Sequence, residues 1–392
     1  MAFGMKNVVK IDPMSYSLML LGESKVGKTT LIKESCEKLA PEEGSYLFLE
    51  IGQERGADAI HGINYVNCPE WNMELDPLTN SAGFNDVCRD IIDKKTKEYP
   101  NLRVVIVDTY DQLINIAEEE AIAQWNQECR KSGHPEKCSN SINAIYGGYG
   151  RGEKAALKLM RDMKAELKKV GVEMWTIGHV KVKAVNDVMT GESYEVLTSD
   201  QQQNYFNAWK KDLHFLALAY IDRDIAREKS GKKNPKNNQD IMVGKVRGES
   251  RRINFRDDSF CVDSGSRFAN IVPEIPLDSD AFIKAIRDAI IAEHDKSGVS
   301  LDDTIAKQNA LAEAEAKRVA EAEAIKDAEN AEKEKLDAVI KEITYMFQAA
   351  KEKGDMDFMV NGMAIVQNYG YSNPLSIDSL PIANEILAEI NK

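Results

Sequence analysis

Eight consecutive residues, Gly22-Glu23-Ser24-Lys25-Val26-Gly27-Lys28-Thr29, have the types and spacing of a phosphate cradle. Its glycines let the backbone turn tightly and aim successive N–H groups at anionic oxygens, where a Cβ would clash or fix the wrong φ. Lys28 then reaches the β- and γ-phosphates of a nucleoside triphosphate, and the Thr29 hydroxyl faces Mg2+. Thr30 continues a helix whose positive end points at the anion. Residues 22–30 are therefore the nucleotide-binding candidates, with ATP and Mg2+ as the expected ligands and Lys28 as a participant in catalysis.

Such a cradle needs an acidic partner on a buried strand. Val104-Val105-Ile106-Val107-Asp108 is a β-branched run ending in a carboxylate, which predicts that Asp108 joins Thr29 in holding Mg2+. Thr109 and Asp111 stand beside it. Water attack on a phosphate also needs a base. The apolar run 46–49 ends in Glu50, the first candidate, with Glu54 the second. A further run ends in Gly178-His179, and a polar group at that strand tip can sense the γ-phosphate.

The elements that must position these residues follow from hydrophobic periodicity. Apolar runs at 17–21, 45–49, 103–107, 172–177 and 215–221 alternate with amphipathic stretches at 29–39, 84–97, 112–128 and 152–170. Buried strands separated by helices predict an α/β fold with a mainly parallel sheet between helices. After Pro276 the pattern changes. Residues 279–294 read as an amphipathic helix, and residues 302–335 are almost entirely Ala, Glu, Lys and Asp, which predicts a solvated helix with no clean heptad. Core-forming residues return from Val339 onward. The expected organisation is an N-terminal segment at 1–15, a nucleotide-binding domain at 16–295, a helical stalk at 296–336 and a small helical module at 337–392.

Composition narrows the classes. A formal charge of −13 argues against coating nucleic acid by bulk electrostatics, yet residues 223–256 hold eleven Lys and Arg against four Asp and Glu. The part at 229–236 reads equally well as a solvated, lysine-rich loop. No apolar run is long enough for a membrane span, and the first fourteen residues lack a signal-peptide pattern. Six cysteines without a regular framework suit a reducing cytoplasm. Cys129, His134 and Cys138 are spaced like the start of a zinc site, although a fourth ligand would have to come from Cys68 or Cys88.

Taken in order, these motifs resemble the RecA-like ATPases of bacteriophages, often called AAA-family proteins and including phage single-strand annealing ATPases. The resemblance spans residues 17–286 and includes Tyr146-Gly147-Gly148-Tyr149-Gly150-Arg151-Gly152 before a helix and Trp175-Thr176-Ile177-Gly178-His179 at a strand end. It implies a RecA-like core, ATP bound at a subunit interface of a homo-oligomer, and action on single-stranded DNA in recombination or replication in the host cytoplasm. By the same resemblance, DNA contacts are expected from Tyr146, Tyr149, Arg151, Lys181 and Lys183. A cation supplied in trans is expected from Lys245, Arg247, Arg251 or Arg252. The stalk lies outside the resemblance and is a candidate contact for single-strand binding or replication proteins. Two other readings stay open: a nucleotide-gated binding, annealing or scaffold module with little hydrolysis, and a small-molecule kinase.

Overall fold

The computed structural model describes residues 9–53, 55–186, 189–233, 240–256 and 263–391. Glu54, the second candidate base, lies outside them.

Strand β1 (Leu18–Gly22) is buried along its whole length and runs through the phosphate-binding segment into helix α1 (Lys28–Leu39). Then come β2 (Tyr46–Ile51), β3 (Tyr65–Cys68), α2 (Phe84–Asp93), β4 (Val104–Asp108), α3 (Tyr110–Lys131) and α4 (Arg151–Lys169). They are followed by β5 (Glu173–Asn186), β6 (Ser193–Ser199), α5 (Gln203–Lys210), β7 (Phe215–Lys233) and β8 (Asp240–Asn254). Short strands β9 (Gly265–Ser266) and β10 (Glu274–Pro276) precede α6 (Ser279–His294), whose N-terminus is capped by the Asp278 carboxylate.

The strands form one sheet in the order β10-β8-β7-β1-β5-β4-β2-β3. From β7 to β3 every pairing is parallel, while β8, β10, β6 and β9 join antiparallel. Alternation along β1 explains the layers. Leu18 and Leu20 face a core completed by α1 and α6, and Met19 and Leu21 face a core completed by α2 to α5. This mixed α/β fold with a mostly parallel sheet is that of a P-loop core.

Two strands run well past their apolar segments. The expected strand ends near Ile177 and Ile221 are corrected to Asn186 and Lys233. Beyond the core, β5 pairs with β6 and β7 pairs with β8 as antiparallel hairpins, so their hydrogen bonds are satisfied without burial. Part of the lysine-rich stretch read as a loop is therefore strand, and residues 234–239 lie outside the description.

The chain divides into two compact units, Met1–Ala316 and Lys317–Lys392. Helix α7 (Leu301–Lys353) passes unbroken through residue 336, and α8 (Met356–Asn368) and α9 (Leu380–Ile390) follow it. The second unit buries Ile343, Val366, Ile377, Ala383, Ile386 and Ile390. No described helix is long and apolar enough to cross a membrane.

Candidate active site

Parallel strands bring their C-terminal tips to one edge of the sheet, and the chemistry-bearing residues collect there. Gly22 ends β1 against β7: a Cβ built on it would lie 2.6 Å from the Ala219 carbonyl oxygen. Gly27 caps α1 at φ +109°, a conformation that other residues adopt only under strain. The sequence thus spends glycine where the backbone must approach or reverse. Gly22→Ala should push β1 from β7, lowering stability by about 1–3 kcal/mol and weakening nucleotide binding. Melting curves with and without MgATP check this; an unchanged melting temperature and unchanged ligand shift would contradict it.

Lys28 is buried, and its Nζ donates to the carbonyls of Gly22 and Glu23, both at 3.0 Å. Thr29 Oγ1 donates to Asp108 Oδ2 at 2.7 Å. Glu50 stands directly opposite Asp108 in the β2–β4 register. A Cβ on Gly56 would lie 3.7 Å from Glu50 Oε1 and 3.9 Å from Thr29 Oγ1, so the carboxylate and hydroxyl flank the same small space. Glu50 is 2 % exposed. Its Oε1 accepts the Ala57 N–H, whereas Oε2 has no hydrogen-bond partner among the described residues. Burial pushes the Glu50 carboxyl above its usual range and neighbouring Asp108 adds to this, opposed by the Ala57 N–H. A buried carboxylate with one uncommitted oxygen beside a phosphate cradle is placed to accept a proton.

His179 lies opposite Gly22 in the β1–β5 register. One oxygen of Asp111 accepts both the His179 backbone N–H, at 3.0 Å, and a bond with His179 Nδ1, at 2.8 Å. The other oxygen accepts from Gln201 Nε2 at 2.6 Å, and Asp200 N–H donates to the His179 carbonyl at 3.0 Å. Asp111 therefore ties together both legs of the β5–β6 hairpin where they leave the sheet.

Lys28, Thr29, Asp108, His179, Asp200 and Arg55 are among the residues that line a cavity of about 710 Å3, with Gly56, which adjoins Glu50, also in its wall. Its size suits a nucleotide. No group of three His, Cys, Asp or Glu among the described residues is arranged to hold a metal. Thr29 and Asp108 instead suit Mg2+, which keeps water and phosphate oxygens in its shell. Bound there, it would neutralise charge developing on the phosphates. Cys129 is buried on α3, Cys138 bonds to the Asn126 carbonyl and His134 pairs with Glu136, so the zinc-like spacing is not assembled.

The remaining candidates are dispersed. Tyr146 packs on Trp125 at 4.7 Å, and Arg151 donates to the Tyr146 carbonyl. Tyr149 is 96 % exposed at φ +56°. Lys181, paired with Asp200, and exposed Lys183 lie on the β5 leg of the hairpin. Of the expected trans cations, Arg251 donates to the Val26 carbonyl of its own phosphate loop. Arg252 pairs with Glu274, while Lys245 and Arg247 pair with Glu228.

Sequence reading missed Arg55, Asp200 and Gln201. Arg55 could have been noticed as a cation five residues after Glu50. Gln201 meets Asp111 across 90 residues of sequence, and no local signal marks that pairing.

No curated protein matches this chain. A family model described as an AAA domain matches residues 14–245, more than half the chain and the segment that carries the whole cavity. The chain belongs to the AAA-domain family of nucleotide-binding P-loop ATPases.

Proposed function

We propose that this chain is a Mg2+-dependent, RecA-like ATPase that hydrolyses ATP with Glu50 as the base and acts on single-stranded DNA in phage recombination or replication. The observation that carries the hydrolytic part is the buried Glu50 carboxylate, flanking the same small space as Thr29 and opposite Asp108 in register, with one of its two oxygens uncommitted. Lys28 holds the terminal phosphates, and Glu50 takes the proton of the attacking water.

The DNA part rests on the resemblance and gains support from placement. The β5–β6 hairpin leaves the sheet beside the cavity and carries Lys181 and Lys183. Tyr149 stands immediately before α4 with its ring in solvent. Aromatic faces and cations are what unpaired bases and phosphates require. Because Asp111 contacts both hairpin legs, a change at His179 on γ-phosphate loss would reach the hairpin. Exposed Tyr345, Met356, Val360 and Leu375 give the C-terminal unit apolar contacts for a replication or single-strand binding protein.

Titration of a fluorescent oligonucleotide tests the DNA assignment. Tyr149→Ala should weaken single-stranded DNA binding by roughly tenfold, the scale of one lost stacking contact, with ATP affinity unchanged. Equal DNA affinity for variant and wild type would remove Tyr149 from the interface.

A further inference from the structure

Cations reach the nucleotide cavity from two sides. Lys25 and Lys28 come from the phosphate loop, and Arg55 from the chain that follows β2. Lys28 is already engaged by the Gly22 and Glu23 carbonyls. Arg55 is exposed and forms no hydrogen bond or ion pair among the described residues. An uncommitted guanidinium beside a phosphate cradle has five donors to offer an incoming anion.

Glu50 itself sets the place of Arg55 on the chain. Its carboxylate accepts the Ala57 N–H, which ties residue 57 back to the end of β2. Gly52 turns the chain between them at φ +67°, and a Cβ there would lie 2.8 Å from Gln112 Oε1. Gly56 borders the space that Glu50 and Thr29 share. Arg55, one residue earlier, is thereby carried to the Glu50 end of the cavity.

The four cations expected to act in trans are engaged within this chain. Arg251 donates to the Val26 carbonyl, Arg252 pairs with Glu274, and Lys245 and Arg247 share Glu228. Arg55 carries no such commitment and already faces the cavity of its own chain.

We propose that Arg55 is a catalytic residue that meets the terminal phosphate of ATP in cis and neutralises the charge developing there, an inference that rests on the hydrolytic reading above. The water oxygen bonds to the γ-phosphorus as the bond to the β–γ bridging oxygen breaks, giving ADP and inorganic phosphate. One water proton passes to Glu50 and the other stays on the phosphate. Arg55 gains and loses no proton. Its planar donors hold the phosphoryl oxygens more strongly in the transition state than in bound ATP.

Arg55→Ala and Arg55→Lys test this through turnover and through affinity for MgADP with aluminium fluoride, a stand-in for the phosphoryl group in transfer. Both variants should melt like wild type, because the exposed side chain holds no other part of the fold. Arg55→Ala should lower kcat by roughly 10²- to 10³-fold, the scale of one lost transition-state donor. Arg55→Lys keeps the charge without the planar fork and should lose less. Affinity of Arg55→Ala for the fluoride complex should fall by roughly tenfold or more, with MgADP alone held within about twofold. An equal loss for MgADP would place Arg55 on the base or ribose and overturn the proposal. So would unchanged affinity for the fluoride complex, or unchanged kcat in an active wild type.

A pH profile separates direct contact from action through Glu50. Burial raises the Glu50 carboxyl and Asp108 and Asp58 add to this, while the Ala57 N–H and Arg55 oppose it. Loss of that opposition alone would move the acid limb of Arg55→Ala upward, and its rate would rejoin wild type at high pH. A phosphate contact keeps the deficit across the profile, so rejoining would overturn the proposal. Mixing separates cis from trans. Glu50→Gln and Arg55→Ala in equal amounts leave no chain with both groups, so the mixture should turn over no faster than its parts. Recovered turnover would overturn supply in cis. Should wild type hydrolyse nothing, the hydrolytic reading fails, and affinity for the fluoride complex alone decides the role of Arg55.

Discussion

Glu50→Gln should lower ATP turnover by about 10²- to 10⁴-fold, the usual contribution of a positioned base, while ATP affinity stays within about twofold. The amide keeps an oxygen for the Ala57 N–H and keeps the volume of the buried site, so the change falls on proton acceptance alone. Phosphate release and calorimetric ATP binding measure the two effects. Unaltered release would remove Glu50 from the reaction. A pH signature accompanies it. Burial, joined by Asp108, raises the Glu50 carboxyl above its ordinary value of 4.5, so the acid limb of the wild-type rate profile should lie above the ordinary glutamate range. The same shift acts on stability. A carboxyl raised in the folded state binds its proton more tightly there than in the unfolded chain. It therefore costs stability above its unfolded pKa, and costs it in full once pH exceeds the folded value. Glu50→Gln should consequently melt higher at about pH 8, and the gain should fade as pH drops toward 4.5. Activity lost and stability gained together would mark the site as strained for function.

Lys28→Ala should weaken ATP binding by roughly 10- to 100-fold, from loss of a charge-assisted bond worth about 1.5–3 kcal/mol in a buried setting. Lys28 Nζ is held by the Gly22 and Glu23 carbonyls, so the ammonium is fixed over the loop before any anion arrives. Little ordering entropy then opposes phosphate contact. The variant should also lose its thermal shift with MgATP. Affinity within twofold of wild type would contradict a phosphate role for this lysine.

The parts of this fold with strong local signals were legible in the sequence. A parallel strand buried on both faces must be a continuous apolar run, and β4 was bounded almost to the residue by Val104 to Asp108. Helix α6 was legible at both ends because Asp278 caps it and its apolar face is regular. Hairpin extensions were hidden for the opposite reason. Residues such as Asp222-Arg223-Asp224 in β7 carry no burial pattern, and their strand conformation comes from pairing with β8. Strand β3 has only four residues, too few to establish a period. At the site, Gly22 to Thr29 and the positions of Glu50 and Asp108 near the ends of their strands could be picked out locally, as could His179, although β5 runs on past it to Asn186. Their partners could not. The Asp111–Gln201 bond and the reach of Arg251 to Val26 arise from the sheet bringing distant tips together. Glu23 shows the same limit. Read as a loop residue of the cradle, it also accepts the Ile221 N–H and pairs with Arg223, fastening the loop to the base of the β7–β8 hairpin.

ATP hydrolysis measured with and without single-stranded DNA, across a salt series, bears most directly on the claim that this cavity drives work on DNA. Single-stranded DNA should raise the basal Mg2+-dependent rate several-fold, with the stimulation declining as salt displaces the phosphate contacts. A rate that DNA leaves unchanged even at low salt would contradict it.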